Sequence, residues 1–590
     1  MFFHRLTFLR FILMAACLVF VGRLALLQLV QGSELREASE HNFLRWVREP
    51  APRGLILDRK GRELATNIPG SAAWLVPGEV PRKAWPRLLR RLTELGLYPN
   101  LQAAEKTLEN SRRFPTYVPV RLAGNLSIDV ITRLKESLPC REGTESFLPG
   151  VYLRVEPVRA YPDRTLASHL IGYLREIDPD ELAALRETRG YHLGDRLGKT
   201  GIERAYEESL RGFEGGEQIE VDAMGRVLRR MKTIPPRPGA PVTLTLDRNL
   251  QRIAEAGLAH RSGAVVALDP ITGDVLALVS APECDLNLMS GRITPEMLAW
   301  LHGGQKPELN RATCGAYPPG SVFKIVTAVT ALEKGAVTPG SYLYCSGIYH
   351  GIHCWKRGGH GTVSFTEAIA QSCNSAFMQM AERVGIQALA NMGRRFGLGE
   401  PVGLLPRVRP LLPGGGKRVG IIPEGRGLVP DPNWAEHTRH SPWMLGETLQ
   451  VGIGQSSLTL TPLQTARIIA AVANGGMLVH PRLVKSVGTT LEPITPPTPL
   501  GLRPDTLRNV ARGLRAVVAE GTARSLDPTL RIAGKTGTAQ NPGGGDHAWF
   551  VGYAPAEAPK IAVAVLIEHG GHGGAAAAPI AEAIIREALK

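Results

Sequence analysis

The sequence predicts a multidomain α/β protein: an N-terminal transmembrane helix, a mixed second domain, and a third domain built on an antiparallel sheet of about five strands with helices on its faces. Three observations predict it. An apolar stretch opens the chain, a Pro-rich joint divides the remainder, and strand patterns stand at both ends of the last part with helical patterns between them.

At 590 residues the chain exceeds what one hydrophobic core holds, so two or more domains are required. Hydrophobic residues at 44% and charged residues at 21% describe a globular protein with no long disordered tract. The Gly-rich pieces Pro413–Gly416, Gly543–Gly545 and Gly570–Gly574 read as local loops. A net charge of +15 favours an anionic neighbour: nucleic acid, a membrane surface or an acidic cell-wall precursor. The chain carries no Cys/His finger spacing, no basic zipper and no aromatic-basic ribonucleoprotein signature, so nucleic acid is set aside.

His4, Arg5 and Arg10 precede the apolar stretch Phe11–Gly22, which resumes after Arg23 as Leu24–Val30. The total approaches the roughly 20 residues of a membrane helix. Basic residues ahead of it keep the short N-terminus in the cytoplasm and send the rest outward. Arg23 lies toward the outer end, where it can snorkel or face a partner helix. A cleaved signal peptide would close on small residues, and Gln28–Gly32 supplies only one. Met14–Cys17 resembles a lipoprotein processing site, but cleavage there would leave a second apolar stretch. Residues 1–32 are therefore read as a cytoplasmic stub and uncleaved anchor.

Residues 33–238 form the second domain and 239–590 the third, parted at Ile234–Pro241, where clustered Pro prevents both helix and central strand. In the second domain Ala51–Asn67 reads as strand and turn and Pro81–Leu95 as an amphipathic helix. The third opens with a hairpin, Ala264–Leu268 and Val275–Val279 about the turn Asp269–Gly273. It closes with strands over Ile532–Gln540, Ala548–Tyr553 and Ile561–Glu568, then a helix over Ala576–Leu589.

Three small constellations carry chemistry. Ser321 and Lys324 follow Pro318, Pro319 and Gly320 at the start of a helical pattern, and positions three apart share a helix face. A lysine among apolar groups loses proton affinity and can accept the serine proton. Ser372 and Asn374 lie between two helical stretches, where both side chains can face a cleft; a helix N-cap is the competing reading. Lys535, Thr536, Gly537 and Thr538 lie on a strand, where lysine and two hydroxyls can hold a carboxylate while glycine leaves room for a substrate backbone. Lys199, Thr200 and Gly201 repeat the last pattern, but they precede the serine and lead into a helix.

In that order and on those elements, Ser-x-x-Lys, Ser-x-Asn and Lys-Thr-Gly resemble the active-site set of penicillin-binding proteins and serine β-lactamases. Arg53–Gly61, Arg159–Gly172 and Gly201–Gly225 look like blocks of the non-catalytic pedestal, or dimerisation-type domain, of class B penicillin-binding proteins. Asn310–Ala312, Gly452–Gln455 and Trp549–Gly552 are similar to the transpeptidase domain, and Trp355–Gly361 with Pro430–Trp434 look like the elongation branch.

The resemblance implies a D,D-transpeptidase that cross-links peptidoglycan stem peptides and is acylated by β-lactams. Ser321 would attack the penultimate D-alanine carbonyl, with Lys324 as general base and Ser372 as proton relay. Asn374 would bind the peptide amide and Lys535, Thr536 and Thr538 the terminal carboxylate, while the amides of Ser321 and Thr538 form the oxyanion hole. It also implies a single-pass protein of the bacterial cytoplasmic membrane, catalytic domain outside. The implied partner is a polytopic glycosyltransferase of the shape, elongation, division and sporulation class. The competing functions are a D,D-carboxypeptidase or β-lactamase-type hydrolase and a non-catalytic β-lactam sensor. No cofactor is expected for the acyl transfer.

Of seven cysteines, Cys17 lies in the anchor and Cys140, Cys284 and Cys314 are scattered, whereas Cys345, Cys354 and Cys373 cluster. With His360 they make a Cys3His set with 8, 5 and 12 intervening residues, suited to a structural zinc ion. Gly347, Gly351, Gly358, Gly359 and Gly361 let the loop turn. A Cys345–Cys354 disulfide, with His350, His353 and His360 solvated, and free thiols are the competing readings.

Overall fold

The structure is a computed structural model that describes residues 2–26, 28, 44–98, 100–111, 119–124, 126–137, 148–192, 194–221, 227–291, 293–405, 422–541 and 543–590. Cys140, Gly225 and Pro413–Gly416 lie outside the described residues. Phe2–Ala25 forms a helix of 24 residues that includes Arg5, Arg10 and Arg23. Among the described residues no helix is long and apolar enough to cross a membrane.

The chain forms two compact units. One comprises residues 1–53, 67–158 and 211–239, the other 54–66, 159–210 and 240–590. In the first, Gly215–Val221 is the central strand of a three-stranded antiparallel sheet, between Leu44–Glu49 and Val227–Ile234. A small separate core holds Leu75, Leu88, Leu92, Leu134 and Val151. The helix expected over Pro81–Leu95 runs Trp85–Glu94 and buries Leu88, Leu89 and Leu92, the i, i+1, i+4 pattern of a narrow apolar stripe.

The second unit takes in two segments that the sequence reading assigns to the pedestal. Buried electrostatics explain why. Arg159 and Glu203 pair at 2.7 Å with both side chains all but inaccessible, Arg159 also donates to the Gly54 carbonyl, and Tyr161 donates to Glu203. Asp58, fully buried, is met by Arg62, which also reaches Asp247, so 54–66 is tied to the start of the catalytic region. Removing one partner of such a set leaves a charge stranded in the interior, a loss of roughly 3–5 kcal/mol.

The catalytic region is built from α1 (Arg248–Leu258), β1 (Gly263–Leu268), β2 (Val275–Ala281), α2 (Lys324–Glu333), α3 (Phe365–Ala370), α4 (Asn374–Arg395), α5 (Leu445–Gly452), α6 (Pro462–Ala473), α7 (Pro504–Ala519), β3 (Ala533–Ala539), β4 (His547–Ala554), β5 (Ile561–Ile567) and α8 (Ala578–Ala588). The strands make one antiparallel sheet in the order β2-β1-β5-β4-β3, drawn from both ends of the region as the sequence predicts. β1 and β5 read Gly-Ala-Val-Val-Ala-Leu and Ile-Ala-Val-Ala-Val-Leu-Ile, and every residue of both is buried, as continuous apolar runs require when helices cover both faces. α6 packs on β1, β4 and β5; α1 and α8 pack on each other and on the sheet; α7 packs on β3. α6 starts sharply because Thr461 and Gln464 form a capping box ahead of Pro462.

Candidate active site

The nucleophile sits on a tight turn. Gly320–Val322 is a single 3-10 turn ahead of α2, with Ser321 half-buried on it. Gly320 has φ of 53° and its amide donates to the Gly454 carbonyl at 2.9 Å. A Cβ at Gly320 would lie 2.7 Å from the Thr538 carbonyl oxygen, so the glycine lets the nucleophile turn lie directly against β3.

Lys324 is 1% exposed. Its Nζ donates to the Ser372 carbonyl (2.9 Å), the Ser372 hydroxyl (3.3 Å) and Asn374 Oδ1 (2.6 Å). The direct Ser321–Lys324 contact expected from the sequence is not among these bonds, and catalytic contacts commonly tighten only with substrate present. Burial, against the pull of the nearby cysteines, takes the Lys324 ammonium down to about 8, so a neutral amine is accessible near neutral pH.

Ser372 and Asn374 flank the turn from α3 into α4. Ser372 holds φ of 54°, the left-handed region that costs a non-glycine residue on the order of 1–3 kcal/mol. The turn is over-determined by Ser372 N–H to the Ile369 carbonyl and Cys373 N–H to the Ala368 carbonyl. Asn374 caps no helix with its side chain; its oxygen is held by Lys324 and its amide reaches toward the His353 carbonyl at 3.5 Å. The N-cap reading therefore gives way to a side chain committed to the cleft.

On β3, strand alternation sends Thr536 and Thr538 to one face and Lys535 and Gly537 to the other. The lysine and the hydroxyls therefore leave the strand on opposite faces. Lys535 is 0% exposed and donates to the Thr536 carbonyl at 3.0 Å; burial first, then the Lys324 ammonium, push it well below the ordinary lysine range. Gly537 is closely packed from two sides. A Cβ there would meet Trp549 of β4 at 2.9 Å and Val322 of the nucleophile turn at 3.1 Å, so its bare backbone lets both pack against β3. Lys199, by contrast, pairs with Glu181 and Asp178 and leads into the helix Gly201–Ala205, apart from this constellation.

Thr522 is a residue that the sequence reading misses. Its hydroxyl lies 2.6 Å from that of Thr536, and its amide donates to Ala370 at the end of α3. It thus links the strand of the third motif to the helix before the second. Its only local signal is the small triplet Gly521-Thr522-Ala523 after α7, which carries no periodicity.

Behind the Ser372–Asn374 turn, the ligand atoms of Cys345, Cys354, His360 and Cys373 converge, all within 4.8 Å of one another. Cys345 Sγ and Cys354 Sγ each lie 3.6 Å from His360 Nδ1, and the sulfurs of Cys345, Cys354 and Cys373 are unbridged. Hydrogen bonding from Cys373 and several backbone amides holds the Cys354 thiol well below its usual range. Gly347 and Gly359 both have positive φ, and a Cβ on Gly359 would fall 2.3 Å from the Cys345 carbonyl oxygen, so the loop closes only with bare backbone there.

A fold and motif set of this kind define a serine acyltransferase of the penicillin-binding class, and the chain belongs to the penicillin-binding protein family. A family model of the penicillin-binding protein transpeptidase domain matches residues 263–586, and one of the penicillin-binding protein dimerisation domain matches residues 48–244. The peptidoglycan D,D-transpeptidase MrdA of Acinetobacter baumannii is 34% identical over 608 residues, covering 95% of this chain and 84% of that protein. Penicillin-binding protein 2 of Helicobacter pylori, solved in complex with MreC, superposes with a TM-score of 0.76 at 26% identity, covering 92% of this chain and 98% of that one. A chain from a peptidoglycan synthase complex that coordinates polymerization and crosslinking gives 0.70 at 32% identity, covering 98% and 97%. The resemblance to the elongation branch read from the sequence is borne out by these relatives.

Proposed function

We propose that the chain is a peptidoglycan D,D-transpeptidase working through an acyl-enzyme on Ser321. The observation that carries this is the joining of three sequence-distant motifs: Lys324 bonds Ser372 and Asn374, while the Ser321 turn abuts Thr538. Ser321 Oγ attacks the penultimate D-alanine carbonyl of a stem peptide and its proton passes to Lys324. Ser372, bonded to that lysine, relays the proton to the departing D-alanine. Asn374 Nδ2 orients the peptide, Thr536 and Thr538 receive the terminal carboxylate, and Lys535 acts from beneath the strand. The Ser321 and Thr538 amides stabilise the oxyanion. An amine of a second stem peptide then takes the acyl group.

Mixing donor pentapeptide with an acceptor amine should yield D-alanine and the cross-linked product in parallel, read by mass spectrometry. Release of D-alanine into tetrapeptide alone would make the chain a carboxypeptidase-type hydrolase.

The same proposal places the chain at the bacterial cytoplasmic membrane with its catalytic unit outside. Support comes from the basic residues ahead of the apolar part of the Phe2–Ala25 helix and from the exposed Leu18, Val19, Phe20, Val21 and Leu24 on it. A polymerising glycosyltransferase partner is supported by the likeness to a chain of a complex coordinating polymerization with crosslinking.

Cys345, Cys354, His360 and Cys373 fit a structural zinc ion. Bond lengths to tetrahedral zinc put sulfur and nitrogen about 3.6 Å apart, the separation both cysteines show from His360. Bound there, zinc would fix the loop behind Ser372 and Asn374 and take no part in the acyl transfer. Untagged protein prepared without chelator should carry about one zinc per chain by elemental analysis. Cys345→Ser and Cys354→Ser should each lose the metal and lower the thermal midpoint, and acylation should slow with them. Metal-free protein two hydrogens light in the Cys345 and Cys354 peptides would establish the disulfide instead.

A further inference from the structure

Outside the three motifs, the segment leading into the nucleophile turn is gripped by side chains from the far end of the sheet. Tyr317, four residues ahead of Ser321, donates its hydroxyl to Glu568 Oε1 at 2.6 Å across 251 residues of sequence. The same carboxylate oxygen accepts from Arg311 Nε at 2.9 Å, and Arg311 NH2 donates to the Gln305 carbonyl at 2.7 Å. The Tyr317 ring stands edge-on to His547 and to Trp549, at 5.6 Å and 6.4 Å between centroids. Trp549 Nε1 in turn donates to the Pro318 carbonyl at 3.0 Å. His547 and Trp549 lie on β4 opposite Ala539 and Gly537 of β3, the strand that carries Thr538. The backbone of Tyr317 exchanges both hydrogen bonds with Leu460, so its position along the chain is fixed as well.

These contacts have one geometric consequence. Between Tyr317 and Ser321 lie only Pro318, Pro319 and Gly320; the prolines hold their φ, and Gly320 packs against Thr538. A shift of the Tyr317 side chain is therefore passed to the Ser321 amide and hydroxyl with little backbone freedom to absorb it. Burial, and then Glu568, keep the Tyr317 phenol protonated, so it remains the donor.

We propose that Tyr317 and Glu568 are positioning residues for acyl transfer: their hydrogen bond, backed by Arg311, sets the Ser321 turn in register with Thr538 so that the two backbone amides face one oxyanion. This rests on the function proposed above. Glu568 is bonded by Tyr317 and Arg311, not by Ser321, and acts through Tyr317. A misplacement on the order of 1 Å at a reacting centre costs about a hundredfold in rate, and a partial loss of register costs correspondingly less.

The test uses the full chain and penicillin, with stopped-flow labelling resolving the acylation rate constant from the preceding non-covalent dissociation constant. Tyr317→Phe keeps the ring contacts and removes the hydroxyl. It should lower the acylation rate constant about tenfold while the dissociation constant and thermal midpoint stay near wild type. Glu568→Gln keeps an oxygen that can accept from Tyr317 and should retain most of the rate that Glu568→Ala loses. If Tyr317→Phe lowers the folded yield, the Glu568 pair carries the same readout. Wild-type acylation by Tyr317→Phe, or equal rates for Glu568→Gln and Glu568→Ala, overturns the positioning role and leaves the function standing. A wild-type chain that penicillin fails to label at Ser321 overturns both.

Discussion

Ser321→Ala is expected to abolish covalent capture of penicillin while leaving the protein folded. The first half follows from chemistry: no other hydroxyl among the described residues combines a place on the turn against Thr538 with a buried lysine one helical turn away. Loss of the nucleophile removes the acyl-enzyme altogether, so the effect is orders of magnitude in labelling rate. The second half follows from how the turn is held. Gly320 N–H to Gly454 and Trp549 Nε1 to Pro318 are independent of the serine side chain. Labelling by fluorescent penicillin, read beside a thermal melt, separates the two. Survival of labelling at another serine would show the nucleophile to be misassigned.

The second large effect is at Lys535. Truncation to alanine should slow acylation by on the order of a hundredfold, whereas Lys199→Ala should leave the rate nearly unchanged, although both residues precede Thr-Gly. Lys535 is fully buried beneath the strand bearing Thr536 and Thr538, near Lys324, and holds the Thr536 carbonyl. Its removal strips a buried amine donor from the floor of the site and loosens the strand that receives the carboxylate. Lys199 is engaged with Glu181 and Asp178 in a segment with no motif residue. Equal defects in stopped-flow labelling would mean that the order and setting of the motifs do not distinguish the two lysines.

What could be read from the sequence was whatever is local. Ser321 with Lys324, Ser372 with Asn374, and the apolar runs of β1 and β5 are all written within a few residues, and helix or strand periodicity then places them. The Cys3His set was legible for the same reason, since its four members and the glycines that let them meet fall within thirty residues.

Contacts between distant segments were not legible. Nothing near Thr522 points to Thr536, and nothing near Tyr317 points to Glu568. The gathering of 54–66 and 159–210 into the catalytic unit depends on Arg159–Glu203 and Asp58–Arg62–Asp247, pairings that no periodicity announces. Gly537 shows a different limit: its residue type signals a close approach, but nothing nearby in the chain points to Trp549 and Val322 as neighbours.

The most direct measurement is the mass of the intact chain after incubation with penicillin, followed by tryptic mapping. A β-lactam ring opens on acylation without losing an atom, so the chain should gain the mass of one whole penicillin. The gain should lie in the peptide of residues 312–324, whose single serine is Ser321. An adduct on any other peptide, or a chain that stays unmodified while still folded, would contradict the account.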